Sequence, residues 1–120
     1  MKNQLDKGLL ERFSRQIILK DIGIIGQKKI ISSKVLIIGA GGLGCSIAEF
    51  LARAGIGIIG IVDNDKVNLS NLHRQSLYQS NDIGKSKVMV VKNKIKLINS
   101  KTKVKTYRFR LNNINFLKII

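Results

Sequence analysis

At 120 residues, with 22 Lys and Arg against 7 Asp and Glu and a formal charge of +15, the chain makes one domain at most. That length suffices for a core that removes roughly two-thirds of the unfolded surface from water. The single cysteine, Cys45, excludes an internal disulfide and a cysteine zinc site, and the longest apolar run, Ala54 to Val62, is far short of the roughly 20 residues that cross a bilayer. The start MKNQLDKG carries no apolar signal core, so a cytoplasmic protein without a membrane is expected. A large positive charge ordinarily directs attention to nucleic acid. Here 20 Ile, 16 Lys and 10 Asn, with no Pro and no Trp, form the skew of an adenine- and thymine-rich coding sequence. The lysines are scattered as on solvated faces, and no specific nucleic-acid partner is expected.

In chain order, an amphipathic segment with Leu9, Leu10, Phe13, Ile17 and Ile18 apolar predicts a first helix, and a second short helix is expected to end near Ser32-Ser33. Val35 to Ile38 reads as a strand, about Leu43 to Ala54 as a helix, and Ile58 to Val62 as a second strand ending at Asp63. Residues 64 to 84 have neither helical nor strand period, and a loop of that length inside a domain is usually functional. A helix from about Lys85 to Asn99 follows, with Val88, Val91, Ile95 and Ile98 on one stripe. A third strand is expected over Val104 to Arg110, where Tyr107, Phe109 and Leu111 alternate with Arg108 and Arg110, and then a helix from Ile114.

The order βαβαβ defines an α/β, Rossmann-like mononucleotide-binding half. The expected division is a helical segment over 1–33 and a partial Rossmann-like domain over 34–120. The strand VLII suits a central position. With three strands it becomes an exposed apolar edge, which suggests the front half of a longer ancestral protein.

The loop Gly39-Ala40-Gly41-Gly42-Leu43-Gly44 sits between strand and helix, where glycines let the backbone approach a phosphate and free N–H groups with the helix dipole favour negative charge. Asp63, 19 residues beyond Gly44, is placed to accept ribose hydroxyls. By themselves these features leave NAD, FAD and ATP open. The following loop adds Asp65, Asn68, Asn71, Arg74 and Gln75, with Lys87 on the next helix. Amide and cationic groups beside a phosphate loop suit a triphosphate that gains charge during attack, which hydride transfer does not require.

Four stretches in order, ERFSRQIIL (11–19), VLIIGAGGLGC (35–45), GIVDNDKVNLSNLHRQ (60–75) and IGKSKV (83–88), resemble the HesA/MoeB/ThiF family of adenylyltransferases related to ubiquitin-activating enzymes. The resemblance runs from about Leu10 to Lys118. It implies ATP-dependent adenylation of the C-terminal Gly-Gly carboxylate of a ubiquitin-like sulfur carrier, in molybdopterin or thiamine synthesis, with release of pyrophosphate. Carried onto this chain, it places Gly39, Gly41, Gly42 and Gly44 at the phosphates and Asp63 at the ribose. Ser70, Asn71, Leu72, His73 and Arg74 line the nucleotide, and Lys87, rather than Lys85, is the family's lysine. Arg15 matches the arginine that reaches the other subunit's site in homodimers, so Arg15, Arg74 and Lys87 are the implied catalytic cations.

The chain also departs from the family. The strand carrying the Mg²⁺-binding aspartate and the later Cys-x-x-Cys pairs have no counterpart here, so no metal ligand is assigned. Adenylation is expected to be impaired unless a second polypeptide supplies the missing half. Two alternatives stay open at this point: an NAD-binding oxidoreductase module, and a degenerate basic protein that is not an enzyme.

Overall fold

Branched residues at 35, 37 and 38 favour extended backbone, and in the computed structural model, which describes residues 5–120, they form β1 (Lys34–Ile38). Two further strands, β2 (Ile58–Val62) and β3 (Lys103–Tyr107), complete a parallel sheet of order β1-β2-β3. Register places Ile38 beside Val62 and Val62 beside Tyr107, so the three strands end at one level. The crossover helices are α4 (Gly42–Ala54) and α5 (Lys87–Ile98).

Both helices pack on the sheet face that carries Ile37, Ile59 and Ile61. The inward stripe of α4 is small, Cys45, Ala48 and Ala52, which lets the helix approach closely, and α5 adds Val88, Val91 and Ile95. Of the predicted α5 stripe, Ile98 is half-buried against the same core. The two helices are tied at their C-terminal ends, where the buried Asn99 side-chain amide donates to the Ala52 carbonyl at 2.9 Å. Asn99→Ala leaves that carbonyl without its partner; urea denaturation is expected to record a loss of about 1–2 kcal/mol.

The predicted first helix is two, α1 (Lys7–Arg12) and α2 (Ser14–Ile17), broken at Phe13. Phe13 turns inward and is almost fully buried, with its ring tip packed over Gly55. Asp6 caps α1 by accepting from the Leu9 N–H at 2.8 Å. Helix α3 (Gly23–Ile31) follows, and its buried Gln27 donates to the Ala54 carbonyl, as does Gln16, so this segment is anchored at the C-terminal end of α4.

Two boundaries differ from expectation. The third strand stops at Tyr107 because β2, its partner, stops at Val62; the last bond is Asp63 N–H to the Tyr107 carbonyl. Residues 108–112 therefore leave the sheet and turn across its end before α6 (Asn113–Ile119). The stretch 64–84 is also more regular than its sequence suggests. It holds 3₁₀ turns at Leu69–Asn71 and Ser80–Asp82, and an antiparallel bridge of Lys66 with Ser86 delays the start of α5 to Lys87.

The two sheet edges are unlike. Along β3, Lys103 and Lys105 are exposed, a residue type that discourages strand addition. Among the described residues β1 pairs with β2 alone, and beyond Lys34 its residues are apolar, with Ile38 59% exposed. The face opposite α4 and α5 is covered by little: Leu36, Ile58, Gly60 and Tyr107 line a groove of about 230 Å³ with Ile119 and Ile120. No helix among the described residues is long and apolar enough to cross a membrane.

Candidate nucleotide-binding site

The chain leaves β1 through Gly39, whose φ of +99° is a conformation that L side chains rarely adopt. Its N–H still donates to the Val62 carbonyl at 2.8 Å, so the turn begins inside the sheet. Helix α4 begins at Gly42 with no side-chain cap, which leaves first-turn N–H groups unclaimed at the level where the strands end. Gly44 must lack a side chain for a different reason. A Cβ there would fall inside the van der Waals envelope of the Gly39 carbonyl oxygen, because the first turn of α4 folds directly over the loop.

Asp63 is bonded into the loop it faces. One carboxylate oxygen accepts from the Ala40 N–H and the other from the Asp65 N–H, each at 2.7 Å. Ala40's carbonyl is held as well, by the Tyr78 hydroxyl at 2.6 Å and the Cys45 thiol at 3.4 Å. The loop is thus fixed before any ligand arrives. Burial pushes the pKa values of both the Cys45 thiol and the Tyr78 phenol upward, so both remain protonated donors. Cys45, fully buried, has no path to a reactant.

Lys87 is the first residue of α5 and is buried; only 5% of the residue is exposed. Its backbone N–H donates to the Asp65 carbonyl at 3.1 Å, part of the pairing between residues 65–67 and 84–87 that sets where α5 begins. Among the described residues its ammonium forms no ion pair; it lies over the Tyr78 ring, 5.9 Å from the centroid. Lys85, by contrast, is exposed and faces Asp82 at 4.0 Å. A buried ammonium without a carboxylate is costly unless an anion arrives.

The remaining positions of the 70–74 stretch are spread by the turn they form. Asn71 is buried, and its side-chain oxygen accepts from the Asn68 N–H at 2.9 Å. Leu72 packs against the core, while Ser70, His73 and Arg74 are exposed. The Arg74 carbonyl comes close enough to Gly42 that a Cβ there would lie 3.2 Å away, so the 71–74 turn is seated on the start of α4. Gln75 is buried nearby, and its Oε1 lacks a hydrogen-bond partner among the described residues. Arg15 is not at this site. Its neighbour Gln16 bonds to Ala54 at the far end of α4, and thirteen helical residues separate the two ends by about 20 Å.

A cleft of about 390 Å³ opens at the strand ends, lined by Ile38, Gly39, Asp63, Asn64, Phe109, Arg110 and their neighbours. Asn64, Phe109 and Arg110 are lining residues that the sequence reading did not single out. The signal for Phe109 and Arg110 lay in the alternation itself, which continues to Arg110, past the last paired residue, Tyr107. Among the described residues no three His, Cys, Asp or Glu side chains form a group able to hold a metal ion, and both Asp63 oxygens already accept backbone N–H groups. The residues present do not fit a Mg²⁺ site.

A parallel β-α-β-α-β unit with a glycine turn, a carboxylate after the second strand and a buried cation on the next helix defines a Rossmann-type nucleotide-binding fold. The family model for the ThiF family matches residues 13–120, and the chain belongs to that family. It is 46% identical over 118 residues to "Adenylyltransferase and sulfurtransferase MOCS3" of Aedes aegypti, covering 98% of this chain and 27% of the relative. It is 40% identical over 111 residues to "Sulfur carrier protein adenylyltransferase" of Thermus thermophilus, covering 92% of this chain and 41% of the relative. A solved structure of E. coli MccB with ATP superposes with a TM-score of 0.73 and 36% identity, over 78% of this chain and 28% of that one. The chain therefore spans well under half the length of these relatives.

Proposed function

We propose that this chain is the ATP-binding half of an adenylyltransferase that activates the C-terminal Gly-Gly carboxylate of a ubiquitin-like sulfur carrier for molybdopterin or thiamine synthesis. The observation that carries the reading is Lys87, a buried ammonium over the ring of Tyr78, which itself bonds the glycine turn, with no ion pair among the described residues. The named activities of the Aedes and Thermus relatives, and the ATP bound in the MccB structure, support adenylation over hydride transfer. A cytoplasmic location accompanies the reading, a compartment suited to the unpaired, buried Cys45.

In this reading the N–H groups at the start of α4 and the Lys87 ammonium hold the phosphates. Arg74 swings from the surface onto a phosphate oxygen, and the Asn71 amide, whose oxygen is already occupied, donates through its nitrogen. Ser70, Leu72 and His73 contribute backbone and rim contacts. Asp63 accepts from a ribose hydroxyl through lone pairs left free by its two backbone bonds. The carrier carboxylate, ionised at neutral pH, attacks the α-phosphorus; the bond to pyrophosphate breaks as the acyl-adenylate bond forms. Cations that bind more tightly as that phosphate gains charge lower the barrier, each 1.36 kcal/mol counting about tenfold.

Two surfaces complete the site. The apolar edge of β1 accepts a further parallel strand, from a second polypeptide or from continued chain, whose end arrives beside Gly39. Arg15, too far to serve its own site, serves a partner's in a homodimer, for which the exposed Leu43, Ile47 and Phe50 of α4, Ile18 at the end of α2 and Ile25 of α3 supply apolar surface.

The test is titration of the purified chain with ATP and with NAD, followed by ATP–pyrophosphate exchange with a Gly-Gly-ended carrier. Tighter binding of ATP is expected; binding of NAD alone, or of neither, overturns the reading. Where exchange is present, Arg15→Ala and Lys87→Ala are each expected to abolish it. Mixed in equal amounts they restore about a quarter of the activity, because half the dimers then hold one intact site. Failure of the mixture to recover activity would mean that Arg15 does not reach into a partner's site.

A further inference from the structure

We infer that Tyr78 is the positioning residue of this site, one side chain that sets both the glycine turn, through its hydroxyl, and Lys87, through its ring. The inference rests on the nucleotide-binding reading above. The hydroxyl donates to the Ala40 carbonyl at 2.6 Å, and the Ala40 N–H donates to Asp63 at 2.7 Å, so the peptide groups on both sides of Ala40 are held. The orientation of the Gly41 N–H, which shares a peptide with the Ala40 carbonyl, follows from that bond. The opposite part of the same side chain, its ring face, lies 5.9 Å from the Lys87 ammonium.

The choice of an aromatic partner for Lys87 has a consequence for binding. A carboxylate at that position would hold the lysine but neutralise it, and an incoming phosphate would have to displace it. A ring face attracts the ammonium through its quadrupole and leaves the net positive charge in place. Lys87 is therefore located without being consumed. Tyr78 is itself immobile: it is buried, with Leu77 beside it in the core, and its backbone N–H donates to the Gln75 carbonyl at 3.1 Å. Desolvation keeps the phenol protonated, so the hydrogen bond to Ala40 persists across the physiological pH range.

The test compares Tyr78→Phe, which keeps the ring and removes the hydroxyl, with Tyr78→Leu, which removes both. NMR titration of each full chain with ATP and with adenosine reads affinities into the millimolar range. For Tyr78→Phe the ATP dissociation constant is expected to rise about threefold to tenfold, the worth of one hydrogen bond. For Tyr78→Leu it is expected to rise about a further threefold to tenfold as the ring is lost from Lys87. Adenosine, which lacks the phosphates, is expected to bind each variant within about twofold of the unaltered chain. A purely structural role lowers the melting temperature and weakens both ligands together, and that result overturns the inference, as does unchanged ATP affinity in both variants. If the unaltered chain binds neither ligand, it is the nucleotide reading that fails. Should Tyr78→Leu not fold, the near-isosteric Phe variant decides alone.

Discussion

Lys87→Met is expected to weaken ATP binding while leaving the empty protein as stable as before or more so. The methionine keeps most of the length and apolar volume of the lysine stem and removes the charge. In the ligand-free state the ammonium is buried and has a ring face for company but no counter-charge among the described residues, and an apolar group of similar size in place of a buried ion is often neutral or stabilising. A gain of about 1 kcal/mol would raise the melting temperature by roughly 4 °C in a domain of this size. In the bound state a hydrogen bond between charged partners is lost, worth about 1.5–3 kcal/mol, or roughly 10- to 100-fold in affinity. The opposite signs are what make the pair of measurements informative. A lysine kept for packing or solubility would give a lower melting temperature and an unchanged dissociation constant, and that combination would remove the main support for a phosphate site. Lys85→Met serves as the control, because that side chain is exposed and faces Asp82.

The elements that sequence alone made legible are those in which local pattern and tertiary environment agree. The apolar run at 35–38, the glycine turn, the small residues of α4, and the 88, 91, 95 spacing of α5 each carry their burial in the residue types. The failures lie where tertiary contacts overrule a local pattern. Alternation through Arg110 is a good strand signal, but a parallel strand extends only as far as its neighbour accepts hydrogen bonds, and β2 ends at Val62. The helical period through Phe13 is likewise intact in sequence; the chain breaks there because the ring is drawn into a pocket over Gly55, forty residues away in sequence and invisible to a local window. At the candidate site the residue types were legible and their connections were not. Nothing in the order of residues says that Asp63 is bonded to the loop at Ala40, or that Tyr78, in a stretch otherwise rich in Gln, Ser and Asn, lies under Lys87 and on the same carbonyl. The apolar pair Leu77-Tyr78 within that polar stretch was the available sign that the loop is anchored in the core.

Gly44→Ala is expected to be the most damaging single methyl group that can be added to the glycine turn. Its Cβ would overlap the Gly39 carbonyl oxygen, a backbone atom that cannot swing aside as a side chain can. Gly39 is bonded to Val62 within the sheet and Gly44 lies inside α4, so relief requires the helix to move relative to the strand. That movement would also pull Cys45 and Ala48 out of contact with the sheet face they cover. Overpacking of this kind costs about 3 kcal/mol or more, a large part of the roughly 5–15 kcal/mol that holds a domain together. A fall in melting temperature of about 10 °C or more is expected, or failure to fold. Gly41→Ala separates this mechanical demand from the phosphate role. At Gly41 the nearest atom to an added Cβ is Gln75 Nε2 at 3.9 Å, and φ is −86°, so the fold accepts a methyl group with a change of less than about 1 kcal/mol. The methyl group would instead stand at the N-terminal cap of α4, where a phosphate must approach the backbone. A Gly41→Ala protein that melts normally and binds ATP at least tenfold more weakly is the expected result; normal melting with unchanged binding would mean that the phosphates lie elsewhere, and that the turn is compact only for the sake of helix and strand.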